Sequence, residues 1–213
     1  MPSTTAPPIR TLLKRLVDSV ALVVTSPAAA LCNLERRASP GSEFVFLTCV
    51  HTFALMPGTP GAYLRRAFYR LTLDHLEMDC FIGFGVQFTH REVIVESGVY
   101  IGTWALVGSS HLREGSSIGS RVSLLSGTQL HLFENGRWTP FDRQQLHQIE
   151  IGPHTFVGEG AIVMADVGAH AMVTAGAVVA NTVPSGVCVA GNPARFVKRL
   201  ELPTDGALAG VIR

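Results

Sequence analysis

The sequence has few charged residues, few aromatic residues and no long run of one charge sign. Among its 213 residues, Asp, Glu, Lys and Arg make up 15% and aromatic residues 8%, with a formal net charge of +1. The apolar fraction is too high for a disordered chain. Because Lys and Arg are scattered, the sequence lacks a footprint for a phosphate backbone, and we expect no nucleic-acid partner.

The cysteines are scattered as well, at Cys32, Cys49, Cys80 and Cys188. They form no Cys-x-x-Cys motif and no Cys–His spacing of the kind that binds zinc. The sequence therefore predicts neither a disulfide framework nor a metal site. We expect reduced, mostly buried thiols in a cytoplasmic protein.

An apolar run covers residues 16–34 and follows two basic residues, Lys14 and Arg15. Asp18 and Pro27 interrupt it, which leaves it short for a membrane span of about 20 residues. The small residues after Pro27 resemble a signal-peptide cleavage site, and a helix lying on a membrane would show a similar pattern. A packed helix is the favoured interpretation, and weak contact with the inner face of the membrane stays open.

The hydrophobic pattern of the first 78 residues predicts an N-terminal helical segment. Helical periodicity covers residues 9–34, 43–56 and 60–75, and a Pro/Gly cluster at 57–61 separates the last two. The helical periodicity ends near Asp79, where the composition changes.

Beyond this point, groups of six residues recur. An aliphatic residue opens each group, glycine or another small residue often comes second, and a small or β-branched residue comes fifth. The groups begin at Ile82, Ile101, Val107, Ile118, Leu124, Ile151, Val157, Val163, Val173 and Val179.

This period predicts a parallel β-helix over residues 79–199. Side chains alternate along a strand, so the first and fifth positions of a hexad point to the same side. Three six-residue sides close a triangular coil, glycine relieves its corners, and each coil buries its apolar face against its neighbours. An irregular loop interrupts the repeat at 130–149, and a short tail follows at 200–213.

The hexads resemble those of the hexapeptide-repeat acyltransferases. The segment VCVAGNPAR at 187–195 is closely similar to the AGNPAR-type closing segment of that family. LMPG at 55–58 and LRRAFYR at 64–70 resemble a subgroup of polysaccharide and antibiotic O-acetyltransferases. The resemblance covers residues 55–199.

The resemblance implies a mainly β protein, a left-handed parallel β-helix preceded by an α-helical N-terminal segment. It also implies a homotrimer with acetyl-CoA or another acyl-CoA as cosubstrate and no metal. In such proteins the donor lies in the groove between adjacent β-helices, and a loop that interrupts the repeats carries the catalytic histidine. The loop at 130–149 is in the corresponding place.

Acyl transfer to a hydroxyl or amine needs a base for the acceptor proton, and histidine suits neutral pH. His131 directly follows the hexad at 124–129, where the repeat breaks, and it corresponds to the histidine after the SG-rich coil in the family. We therefore predict His131 as the general base, with His147 at the far end of the loop as its rival. His111 and His154 lie inside hexads, where structural roles are expected.

Other loop residues have less defined roles. Glu134, Asp142 or Glu159 could orient the imidazole of the base, and a backbone carbonyl would serve equally well. Trp138 and Phe141 either pack the loop down or wall the acceptor pocket.

For the donor, the resemblance implies an oxyanion-binding N–H near Gly158–Glu159, small residues along the pantetheine arm and cations for the CoA phosphates. The implied residues are Gly158, Glu159, Ala175, Gly176, Ala177, Asn192, Arg195 and Lys198. The sequence also departs from the family. Phe156 replaces a frequent tryptophan, and Ala180 and Asn181 stand where Thr-Lys is common.

The predicted function is acyl-CoA-dependent transfer, with acetyl-CoA as the favoured donor, to a hydroxyl of a saccharide or small molecule. N-acetylation of an amino sugar or amino acid, and a non-catalytic β-helix assembly subunit, are the alternatives. A zinc-dependent β-helix enzyme is disfavoured because the sequence lacks the close His-x4-His pair that such a site needs.

Overall fold

The computed structural model describes residues 8–127, 133–139 and 143–201. Its N-terminal segment consists of three helices, α1 (Pro8–Ala38), α2 (Phe44–Ala54) and α3 (Gly58–Thr72). α2 stops at Ala54, before the Pro/Gly cluster at 57–61. α3 starts at Gly58, directly after Pro57, so the cluster forms the beginning of α3 and is not a linker between the two helices. α1 packs mainly on α3 and more lightly on α2.

The remaining described chain winds through three sheets, and the predicted parallel β-helix with a helical N-terminal segment is confirmed. Sheet A contains β1 (His75–Leu76), β4 (Val93–Val95), β7 (Ser110–Leu112) and β12 (Ile149–Ile151). Sheet B contains β2 (Phe81–Ile82), β5 (Tyr100–Ile101), β8 (Ser117–Ile118), β13 (Phe156–Val157), β15 (Met172–Val173), β17 (Val187–Ala190) and β18 (Arg195–Arg199). Sheet C contains β3 (Gln87–Phe88), β6 (Leu106–Val107), β9 (Ser123–Leu124), β14 (Ile162–Val163) and β16 (Val178–Val179).

The chain visits the sheets in the order A, B, C about six times. Each strand pairs in parallel with its equivalent in the next coil, as in Ile82 with Ile101 and Ile101 with Ile118. Single bridges from Ile151 through Val167 to Val183 continue sheet A into the last coils. The final strand, β18, runs antiparallel to β17.

The core of the β-helix follows the predicted hexad positions. The leading residues Ile82, Ile101 and Ile118 are buried on the axis, and so are the fifth-position residues Ala105 and Val122. Neighbouring coils bury this apolar column against one another, which removes it from water.

Second-position glycines serve a different purpose from the predicted relief of corner strain. A Cβ atom on Gly83, Gly102, Gly119 or Gly158 would lie 2.4–2.8 Å from the backbone of the following coil. These glycines are therefore required by the close stacking of coils. The left-handed backbone conformation occurs two residues later, at Gly85, and there Trp104 and Arg121 also adopt it.

The helices cover the first coil with an aromatic core. Phe53 and Phe68 stack at 4.5 Å between ring centroids, and Tyr69 meets Phe88 of β3 edge-on at the same separation. The Tyr69 hydroxyl donates to the carbonyl oxygen of Val86 at 3.0 Å, so this buried polar group is satisfied. The segment and the β-helix thus share one continuous apolar core.

Asp18 and Pro27 do not shorten the first helix as the sequence predicts, because α1 continues through both residues. Its stretch Thr11–Ala38 is long and apolar enough to cross a membrane by length and composition. Most of its apolar window is not buried in the protein, because only one face of α1 packs on α3.

Candidate active site

The loop leaves the β-helix after β9 of sheet C and returns at β12 of sheet A, between the third and fourth coils. It contains a hairpin, β10 (Phe133–Glu134) and β11 (Arg137–Trp138). Asn135 and Gly136 both have positive φ, as a two-residue type I′ turn requires. His131, Phe141 and Asp142 lie outside the residues that the structure describes.

Trp138 stands on the outer surface of this hairpin. Its ring contacts that of Phe133 at 5.1 Å, and the two residues are 70% and 62% exposed. Trp138 therefore packs on its own hairpin partner and leaves a large aromatic surface open to solvent.

The returning end of the loop is fixed by Arg143, which begins a short 3-10 turn. Its guanidinium pairs with Glu43 at 3.0 Å and also with Glu92. Burial alone would raise the pKa of Glu43, but hydrogen bonds involving His90 and Arg143 outweigh it and hold that pKa below its ordinary value. The loop is thus tied to the residue that precedes α2.

The same cluster has the ligand types of a metal site. Glu43, His90 and Glu92 place potential ligand atoms within 4.8 Å of one another. However, Arg143 already pairs with both carboxylates, which are the groups that would compensate a bound cation. The geometry is that of an ion-pair network.

Beside the loop, a cavity of about 330 Å³ lies along the edge where sheet C turns to sheet A. Its lining consists of Gly127, Gln145, His147, Met164, Ala165, Asp166, Ala180 and Thr182. The His147 side chain is 65% exposed, and its Nε2 atom lies 3.9 Å from Asp166 Oδ1. The Asp166 carboxylate is itself fixed by the Glu150 N–H, which donates to it at 2.8 Å.

A second cavity, of about 240 Å³, continues the first and shares Ala180 and Thr182 with it. Its other walls include apolar residues of the last two coils together with Arg195 and Phe196 of β18. The two cavities form one groove, which we call the edge groove. It runs from the loop, past small side chains, to the basic strand β18.

The predicted donor-binding residues fall into two places. Arg195 lines the edge groove, and Lys198 is exposed on the same strand. Asn192 is exposed in the turn before β18, at the cis peptide bond with Pro193.

The remaining donor-binding candidates lie at another edge, where sheet B turns to sheet C. They are Gly158, Glu159, Ala175, Gly176 and Ala177. The Gly158 N–H donates to the Val173 carbonyl at 2.8 Å and is thus already used in the ladder between coils. Ala177 is buried, whereas Glu159, Ala175 and Gly176 are exposed. Within one chain these residues do not line the edge groove.

The histidines inside hexads have clear neighbours. His111 Nε2 lies 2.7 Å from Glu96 on the outer face of sheet A, where Arg113 pairs with the same carboxylate. His154 occupies a corner with positive φ, and its ring stacks on His170 at 5.2 Å. These positions are compatible with the structural roles that the sequence predicts for them.

Asp166 and Arg143 are not among the site residues predicted from the sequence. Only a weak sequence feature indicated that Asp166 could belong to the site: it is a carboxylate at the end of a hexad, beside a break in the repeat. Arg143 had none, because its partner Glu43 is 100 residues away in the chain.

No protein-family model matches the sequence, and no curated protein sequence matches it either. Solved structures do resemble it. A maltose O-acetyltransferase from Clostridium difficile 630 is 15% identical with a TM-score of 0.61, over 81% of this chain and 89% of that one. A galactoside acetyltransferase in complex with coenzyme A is 16% identical with a TM-score of 0.58, over 74% of this chain and 80% of that one. The protein therefore shares the fold of these sugar acetyltransferases.

Proposed function

We propose that this protein is an acyl-CoA-dependent O-acyltransferase that moves an acetyl group to a hydroxyl of a saccharide or related small molecule. The observation that carries the proposal is the edge groove, which starts beside the loop that interrupts the coils and ends at the cations of β18. The resemblance in fold to two sugar acetyltransferases supports the same class of reaction.

The residues of the edge groove fit the donor. Ala165 and Ala180 leave space along its floor, as a narrow pantetheine arm needs. Arg195 presents positive charge at its far end, and Lys198 is exposed farther along the same strand, so these two cations are the proposed partners of the CoA phosphates. When bound, the donor supplies an activated thioester carbonyl.

In the proposed mechanism His131 accepts the proton of the acceptor hydroxyl as its oxygen attacks the thioester carbonyl. The new C–O bond forms, the carbonyl oxygen takes the negative charge, and a backbone N–H near Glu159 stabilises it. Collapse breaks the C–S bond, and the histidine returns the proton to the CoA thiolate. Trp138 offers the flat apolar surface against which a sugar ring packs, with Phe141 as its proposed companion.

We further propose that the active unit is a homotrimer. The outer face of sheet B exposes the rings of Phe81 and Tyr100, which stack at 5.0 Å, and that of Phe156, with Ser117 of β8 between Tyr100 and Phe156 in the aromatic column. Burial of this column against a second copy would remove it from water. The same packing would bring the edge with Glu159 and Ala175 of one chain to the loop of the next, which completes the site.

His147 is the alternative base, on the specific ground that it stands in the edge groove near Asp166. The two histidines can be distinguished by single substitution.

The test measures free thiol released from acetyl-CoA over a panel of saccharide and amino-sugar acceptors. We expect His131→Ala to lower turnover by about 100-fold or more, the usual share of general-base catalysis. His147→Ala serves as the matched control and should stay within a few-fold of wild type. Calorimetric titration of CoA and the oligomer mass should be unchanged in both variants.

Three results would overturn parts of this proposal. Wild-type turnover in His131→Ala together with loss in His147→Ala would assign the base to His147. Transfer to amines alone would make the protein an N-acyltransferase. Failure of wild-type protein to release thiol from any short acyl-CoA with any acceptor would reject the enzyme class in favour of an assembly subunit.

A further inference from the structure

Helix α1 has two apolar faces, and only one of them is covered. Ala21, Thr25, Ala29 and Cys32 are buried on the inner face. The opposite face carries large side chains that are 55–77% exposed, namely Ile9, Leu12, Leu13, Leu16, Val20, Val23, Val24, Leu31 and Leu34. At 100° per residue these nine positions share one side of the helix, over a length of about 38 Å. We call them the outer face of α1.

Nine large apolar side chains, each more than half exposed, follow one another along this face, whereas monomer surfaces rarely expose a large contiguous apolar patch. Such a strip marks a contact with another apolar phase or with another protein. The charges around it decide between these occupants.

The acidic residues of α1 are turned inward. Asp18 pairs with Arg66 of α3, and Glu35 pairs with Arg91 at 2.6 Å. Both carboxylates are therefore neutralised by the body of the protein and do not contribute to the surface beside the outer face.

The basic residues of α1 remain in solvent. Among its described side chains, Lys14, Arg15, Arg36 and Arg37 are exposed. Arg36 pairs with Asp74 at 2.7 Å, and Lys14 lies beside Asp79 in a cavity that both line, which leaves Arg15 and Arg37 without an acidic partner in the described part of the chain. The free charge of α1 is thus positive, near both ends of the apolar strip. A second copy of α1 would bring like charges together without acidic partners, which disfavours self-pairing. An anionic lipid surface complements both the charge and the apolar strip.

The helix is also held in a way that suits lying on a membrane and opposes crossing it. The Asn33 side-chain amide donates to the Leu71 carbonyl at 3.1 Å, and the two inward ion pairs fasten α1 along its length. A spanning orientation would strip α1 from α3 and place Asp18 in hydrocarbon, where a charge is costly. A helix that stays packed exposes its outer face to the interface only.

We propose that the outer face of α1 docks this protein on a bilayer that contains anionic phospholipid, with the helix axis parallel to the membrane surface. This inference rests on α1 alone and is independent of the proposed acyl transfer. The apolar strip inserts at the level of the headgroups, and the basic residues at its ends contact lipid phosphates.

Sedimentation with vesicles tests the proposal, using the full chain. We expect co-sedimentation with phosphatidylcholine vesicles that contain 30% phosphatidylglycerol, about tenfold weaker binding to phosphatidylcholine alone, and weaker binding in 0.5 M NaCl. The double variant Leu16→Asn, Val23→Asn should lower affinity for the anionic vesicles at least tenfold.

The matched control is Ser19→Asn, Ser26→Asn, which places the same residue type on the exposed polar side of the same helix and should bind within about threefold of wild type. Circular dichroism and the thermal midpoint check that both variants fold. Absence of wild-type binding, or equal loss in both variants, overturns the proposal. The proposal is also overturned if wild-type protein does not bind vesicles and the Leu16/Val23 variant has a changed oligomer mass. That outcome would assign the apolar strip to contact with a second copy of the chain.

Discussion

Substitution of Glu35 should destabilise the protein strongly, because this carboxylate ties α1, α2 and the β-helix together. Its oxygens accept the N–H groups of Val45 and Phe46 at 2.9 and 3.1 Å, which satisfies the start of α2. They also accept from the Ser42 hydroxyl at 2.8 Å and from Arg91 at 2.6 Å. Arg91 itself is 1% exposed, so Glu35 is the acidic partner of a buried cation.

The size of the effect follows from the pKa of Glu35. Burial raises this pKa, but the four hydrogen bonds outweigh burial and lower it from 4.5 to about 2. At about 1.4 kcal/mol per unit, this corresponds to about 3 kcal/mol of folding free energy at neutral pH. Removal of one partner of a buried ion pair costs a similar amount, about 3–5 kcal/mol. Glu35→Gln should therefore lower the free energy of unfolding by about 3 kcal/mol.

The sign of the pH dependence is fixed by the direction of the shift. Since the folded pKa lies below the unfolded one, the contribution of Glu35 is complete above about pH 4.5 and disappears as the pH falls through 2. Urea denaturation followed by circular dichroism should show wild-type stability falling over this interval. The Glu35→Gln curve should be flatter there, by the same amount that it is lower at pH 7.

Glu150→Gln provides the matched control. Glu150 is about half exposed and pairs with Arg113 at 3.3 Å, so its loss should cost less than about 1 kcal/mol. Protein concentration is held constant across the series, because an oligomer gains stability by mass action. A loss of less than 1 kcal/mol in Glu35→Gln at pH 7 would refute the reasoning.

Two further substitutions test the stacking of coils and the anchoring of the loop. Gly158→Ala places a Cβ atom 2.4 Å from the backbone nitrogen of Ala175 and should lower the free energy of unfolding, measured by thermal denaturation, by about 3 kcal/mol. Gly176→Ala is the control: this residue has φ +68° but open space around it, so we expect a loss of about 1 kcal/mol. Equal losses would contradict the stacking argument. Arg143→Gln removes the guanidinium that pairs with the buried carboxylate of Glu43. We expect a loss of about 2 kcal/mol in the free energy of unfolding and faster amide hydrogen exchange over residues 143–148. Unchanged exchange there would show that the ion pairs do not hold the loop.

The β-helix was predictable from the sequence because its determinants are local and repeat. Because the axis of the β-helix is buried, equivalent positions of successive coils carry apolar residues, as at Ile82, Ile101 and Ile118, and the period is therefore visible in the sequence. The reason for the second-position glycines was harder to predict. Their constraint comes from the coil stacked above, as at Gly83 beneath Gly102, and that proximity is a property of the folded chain.

For the candidate site, the sequence predicts only a position along the chain. A break in a strict period shows where a loop leaves the β-helix, and the loop indeed starts after β9. The partners of the loop could not be predicted in the same way. Arg143 meets Glu43 across 100 residues, and Asp166 meets His147 only because the chain returns beside the start of the fourth coil after one full turn. Contacts of this kind depend on the complete fold and have no local signature.

The helical segment is consequently part of the scaffold of the site. Glu43, which precedes α2, accepts from Arg143 of the loop and also from the backbone N–H of Arg91 at 3.1 Å. Arg91 in turn is held by Glu35 of α1. Ion pairs joined by one backbone hydrogen bond thus run from the first helix to the returning end of the loop. Because each charge needs its neighbour for compensation, loss of the helices would leave buried charges unpaired beside the loop.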